Sequence, residues 1–112
     1  MARILVVEDE PMILDFYKTA LGAEGYTVDC AQNGSEALQL ANENKPDLLI
    51  TDFMLPGMKG DEVSERLFTK FPQLAIVMIT SSQAPPNYPH PIMKKPISAA
   101  LLIATAKYWL LQ

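Results

Sequence analysis

The chain has 112 residues, 49% of them apolar and 20% charged, a composition that suits one globular domain and excludes intrinsic disorder. Its net charge is −4, and Lys and Arg are scattered singly apart from Lys94-Lys95, so nothing here attracts a phosphate backbone and nucleic acid is not an expected partner. The single cysteine, Cys30, cannot make an internal disulfide, and the apolar stretch Ile4 to Val7 is too short for a signal peptide or membrane span, so a cytoplasmic location is expected.

Arg3-Ile4-Leu5-Val6-Val7 is rich in β-branched residues and reads as a first buried strand, ending on three acids, Glu8-Asp9-Glu10. Pro11 fits the first turn of a helix, where its missing N–H costs nothing. Met12, Ile13, Phe16, Tyr17 and Ala20 recur at helical spacing, and Gly22 or Gly25 closes that helix. Residues 26–31 form a shorter strand with partial alternation. Asn33-Gly34 then breaks the chain, Ser35 is the expected cap, and 36–44 is a second helix with Ala37, Leu38, Leu40 and Ala41 inward.

The stretch that organises the rest begins at Pro46. Leu48-Leu49-Ile50 is a continuous apolar run, the pattern of a strand buried on both faces in a parallel sheet. It leads to Asp52, at the carboxyl end where open α/β sheets place their ligand chemistry, and Asp52 is the candidate reactive residue. Pro56-Gly57 and Gly60 supply turn geometry directly afterwards. Asp61-Glu62 favour a helix N-terminus, with Val63, Leu67, Phe68 and Phe71 on its apolar face and Pro72 as its stop. Residues 74–79 are another buried strand, ending on Thr80-Ser81-Ser82. Strands and helices alternating at this spacing mean βαβ units with right-handed crossovers.

The rhythm then breaks. Residues 83–91 carry Pro85, Pro86, Pro89 and Pro91 and cannot be a helix. Ile92-Met93-Lys94-Lys95 is a minimal fifth strand, ended by Pro96. Ser98 caps a last helix over 99–111, apolar nearly all round. In a parallel sheet Asp9, Asp52, Thr80 and Lys95 all reach the same edge.

That constellation resembles the receiver domain of two-component response regulators, close to the chemotaxis regulators. The matching pieces are Val6-Val7-Glu8-Asp9-Glu10, Asp52-Phe53-Met54-Leu55-Pro56-Gly57 with Gly60, Ile79-Thr80-Ser81 and Lys95-Pro96. The resemblance covers the whole chain and implies a single receiver domain over 1–112. It implies a flavodoxin-like, doubly wound five-stranded parallel sheet of order 2-1-3-4-5. Clustered carboxylates repel one another unless a cation sits among them, and hard oxygen ligands suit Mg²⁺. Glu8 and Asp9, directly or through water, with Asp52 and the Met54 backbone carbonyl, are the expected metal ligands. Asp52 is then the phosphoacceptor, Lys95 neutralises the transferred oxygens and Thr80 donates a hydrogen bond. Lys94 competes with Lys95, but the family's lysine directly precedes proline, and the Lys95-Pro96 bond is expected to be cis as in the family. The phosphoryl donor implied is a histidine kinase or phosphotransfer protein. The protein so read is not an enzyme but assists its own phosphorylation and dephosphorylation.

The chain departs from the family in one region. Residues 81–94 leave no room for the usual fourth helix, which is missing or reduced, and the family's aromatic switch position falls on Ile92. The apolar surface uncovered beside the last helix is expected to be covered by a second copy or by another, unknown downstream protein. A pseudo-receiver that binds without phosphorylation is the alternative reading. Enzymes fit less well: a haloacid-dehalogenase-type phosphatase expects an acid where Met54 stands, and the acids after strand one would repel a flavodoxin's phosphate.

Overall fold

A computed structural model describes residues 2–111. In chain order the elements are β1 (Arg3–Val7), α1 (Pro11–Ala23), β2 (Thr27–Ala31), α2 (Gly34–Glu43), β3 (Leu48–Thr51), α3 (Gly60–Lys70), β4 (Ala75–Thr80), β5 (Ile92–Lys94) and α4 (Ala99–Leu110). All strand pairs are parallel and the sheet order is β2-β1-β3-β4-β5. Among the described residues there is no helix between β4 and β5, the place where the family's fourth helix was expected to be lost.

The apolar runs of the strands serve two cores at once. Ile4 and Val6 of β1, with Leu48 and Ile50 of β3 and Val77 and Ile79 of β4, pack under α1 and α4 against Leu14, Tyr17, Leu21 and Leu102. Leu5 and Val7, with Leu49 and Ile76, face the other way against Ala37, Ala41, Val63 and Leu67 of α2 and α3. Alternate residues of a strand point to opposite faces, so a sheet covered on both sides needs apolar residues at every position. Each such side chain contributes roughly 1.5–3 kcal/mol by burial.

Two local expectations need correction. Met12 and Phe16 do not face the core: they are 82% and 42% exposed, and α1 buries Leu14, Tyr17 and Leu21 instead. The helix has apolar residues on more than one side, and packing on the sheet selects the 14-17-21 stripe. Ser35 does not cap α2 either. Asn33 does, its side-chain oxygen accepting from Glu36 N–H at 2.9 Å, while Glu36 reaches back to the Gln32 N–H at 2.7 Å.

The parallel register brings the carboxyl ends of the strands level. Val7 lies opposite both Ala31 and Thr51, and Thr80 opposite Lys94. The ladder continues one step beyond the strands: Glu8 N–H donates to Ala31 C=O, Asp52 N–H to Val7 C=O and Lys95 N–H to Thr80 C=O, each at 3.0 Å. Glu8, Asp52 and Lys95 are therefore fixed by sheet hydrogen bonds as well as by their side chains.

Candidate functional site

At the carboxyl edge, between the ends of β1 and β3, the order of the sheet reverses its direction of growth, which is where doubly wound folds bind ligands. Glu8 and Asp52 are buried here at 1% and 8% exposure, whereas Asp9 is open to solvent. Carboxylate oxygens of the three lie within 4.8 Å of one another. The Lys95 ammonium reaches in from the end of β5 and donates to Glu8 Oε1 at 2.5 Å and to Asp52 Oδ2 at 2.8 Å. Backbone N–H groups of Glu10 and Met54 donate to the remaining oxygens, Glu8 Oε2 at 3.0 Å and Asp52 Oδ1 at 3.3 Å.

Three carboxylates against one ammonium leave an excess of negative charge. Burial raises the Glu8 carboxyl above its ordinary value, against the hydrogen bond from Lys95, which lowers it. Burial also opposes charge on Lys95, but its hydrogen bonds to Asp52 and Glu8 outweigh it and hold the ammonium above the usual lysine range. Beneath the cluster, burial pushes the Tyr17 phenol up to about 12. A divalent cation with a preference for hard oxygen ligands fits this donor set and its surplus charge.

The structure places the sequence candidates unevenly. Glu8, Asp9, Asp52 and Lys95 converge; Lys94 is exposed at the end of β5. Thr80 is fully buried at the same edge, yet its hydroxyl is engaged elsewhere, accepting from Ser82 N–H at 3.1 Å and lying 3.0 Å from Ser82 Oγ. The Met54 side chain is 48% exposed. The Lys95-Pro96 peptide bond is cis.

Sequence reasoning missed several supports. Thr51 Oγ1 donates to the Asp52 carbonyl at 2.9 Å. Gly60 packs so closely on that carbonyl that a Cβ would collide with it, and its N–H donates to Phe53 C=O at 2.8 Å. Gly57 adopts φ 71°, the left-handed region that glycine enters without strain. The position of Gly60 in the sequence marks a turn, but nothing local announces the backbone it must touch.

A doubly wound parallel sheet with acids and a lysine gathered at its switch point defines a class of signalling α/β domains. Residues 4–105 match the family model described as the response regulator receiver domain. The chain belongs to that family. Solved structures agree across nearly the whole chain. A CheY-like response regulator receiver domain protein from Methanospirillum hungatei is 29% identical with a TM-score of 0.92, covering 98% of this chain and 94% of that one. A receiver domain protein from Clostridium thermocellum is 26% identical at TM-score 0.90, covering 99% and 95%. The chemotaxis protein CheY4 of Vibrio cholerae is 26% identical at TM-score 0.88, covering 96% and 98%. No helix among the described residues is long and apolar enough to cross a membrane.

Proposed function

We propose that residues 1–112 act as one phosphoacceptor domain of a two-component system in the cytoplasm, with Asp52 taking a phosphoryl group from the phosphohistidine of a kinase or phosphotransfer protein. A carboxylate oxygen of Asp52 attacks phosphorus, the phosphorus–nitrogen bond to the imidazole breaks, and an aspartyl phosphate forms. The observation that carries this reading is the Lys95 ammonium 2.8 Å from Asp52 Oδ2 within a cluster of buried acids. Lys95, already poised between Glu8 and Asp52, would shift its hydrogen bonds to the transferred oxygens. For Thr80 to donate to the same oxygens its hydroxyl must leave Ser82. Glu8, Asp9, Asp52 and the Met54 carbonyl would hold Mg²⁺. That ion supplies charge neutralisation for the incoming phosphoryl group.

Output in this reading passes through protein contacts. Leu101 and Tyr108, seven residues apart on one face of α4, are 48% and 57% exposed and are the surface a second copy would cover. The deciding experiment is intact mass after incubation with a small acyl phosphate and Mg²⁺. A Mg²⁺-dependent gain of one phosphoryl group, absent in Asp52→Asn, supports the reading. No gain in a chain that still binds Mg²⁺ would favour the pseudo-receiver.

A further inference from the structure

The segment that replaces the missing helix is tied down onto α3. The Tyr88 and Ser64 hydroxyl oxygens are 2.7 Å apart. Ser64 donates its single hydroxyl hydrogen to the Gly60 carbonyl at 2.8 Å, so Tyr88 is the donor to Ser64. The His90 ring meets Phe68 of α3 and Tyr88 edge-on, with centroids 5.0 and 5.4 Å apart. At its end, the Pro91 carbonyl accepts from Met78 N–H at 2.9 Å, which joins the segment to β4. Between it and α3 lies a pocket of about 270 Å³.

The chemistry of its lining selects a ligand. Asp61 and Glu65 stand four residues apart on α3 and so share one face of the helix. Neither carboxylate makes an ion pair among the described residues, and no lysine or arginine lines the pocket. Burial holds the His90 imidazole below its ordinary value and so disfavours a positive charge on the pocket wall. Phe68, Tyr88 and His90 supply three rings, and Pro85, Pro86 and Pro89 stiffen the opposite wall. An anion would be repelled by the carboxylates, and an apolar group would leave them without a counter-charge. A flat organic cation meets both, by ion pairing and by attraction to ring quadrupoles. Guanidinium suits this better than ammonium, because it stacks on rings and pairs with carboxylates through two parallel hydrogen bonds.

We propose that the pocket between α3 and residues 85–90 is a docking site for an arginine side chain presented by a partner protein. The net charge of −4 favours the approach of a basic segment. The pocket also touches the phosphoacceptor loop: Tyr88 holds Ser64, Ser64 holds the Gly60 carbonyl, and Gly60 packs on the Asp52 carbonyl. An occupant that shifts Tyr88 therefore acts on the loop behind Asp52, and by linkage a change at Asp52 acts on the occupant. The docking itself requires no phosphorylation and goes beyond the phosphoacceptor reading.

The test is a titration of the isotopically labelled full chain, followed by amide NMR shifts, with an acetyl-Gly-Arg-Gly amide peptide and with its citrulline counterpart, which has nearly the same shape without the charge. Saturable shifts centred on residues 61–69 and 84–90, extending along the Ser64–Gly60 link to the 52–60 loop and given by the arginine peptide alone, are expected. The dissociation constant should rise about threefold or more in Glu65→Gln, and similarly in Phe68→Leu. Absence of saturable shifts there, an equal response to citrulline, or an unchanged constant in Glu65→Gln overturns the proposal. Any of these results leaves the mass test of Asp52 unaffected.

Discussion

Lys95 Nζ lies 2.8 Å from Asp52 Oδ2 and 2.5 Å from Glu8 Oε1, joining residues 43 and 87 positions away in the chain. A single ammonium, with its side chain 16% exposed, is the counter-charge for two buried carboxylates. Removing one partner of a buried pair leaves the other group desolvated and uncompensated, which costs more than the pair itself contributes.

Lys95→Met should accordingly lose about 1–3 kcal/mol of stability in chelator at neutral pH. Mg²⁺ should restore most of that loss, since a ligand bound only by the folded state stabilises it by about 2.7 kcal/mol at a hundredfold excess over its dissociation constant. Urea midpoints with and without Mg²⁺ measure both effects. A midpoint indifferent to the substitution, or to Mg²⁺, would contradict this account of the cluster.

Gly60→Ala should be far more costly than a usual surface change, because the added methyl meets backbone and not a flexible side chain. We expect a loss of about 1–3 kcal/mol and impaired phosphoryl acceptance, as the Asp52 loop is pushed away from α3. Equilibrium unfolding read beside intact mass distinguishes this from wild-type behaviour in both assays.

Met54→Asn bears on the lifetime of the aspartyl phosphate. The Met54 N–H already contacts Asp52 Oδ1 at 3.3 Å and its side chain is 48% exposed beside the site. If the thioether lies over an Asp52 phosphoryl group it hinders the attacking water, and the variant should then lose phosphate faster. Decay of the phosphorylated mass with time gives the comparison, and an unchanged or slower rate would remove the shielding role.

His90 should make stability depend on pH. Burial lowers its folded value below the ordinary 6.5, so the unfolded chain binds the proton more readily. The contribution is fully present above pH 6.5 and is lost as pH falls through the folded value. His90→Gln should flatten the stability profile just below pH 6.5. Urea midpoints across that window in parent and variant supply the check, and superimposable slopes would exclude His90 as the cause.

Much of the architecture is legible locally. Ile4 to Val7, Leu48 to Ile50 and Ile76 to Ile79 are apolar at every position, and only a strand buried on both faces needs that. The prolines of 83–91 rule out a helix by their own geometry. Met12 and Phe16 are the counterexample: α1 offers apolar residues around much of its circumference, and periodicity there cannot say which stripe meets the sheet.

What the sequence by itself determined was the order of βαβ units, the residues at each strand's carboxyl end and the loss of one helix, because strand burial, turn chemistry and proline restriction are local properties. Tertiary structure alone decided which groups touch. The distance from Lys95 to Glu8 and the Tyr88 bond to Ser64 depend on sheet register and on loops closing over tens of residues. Those contacts are set by packing between elements distant in the chain, and no window of neighbouring residues encodes them.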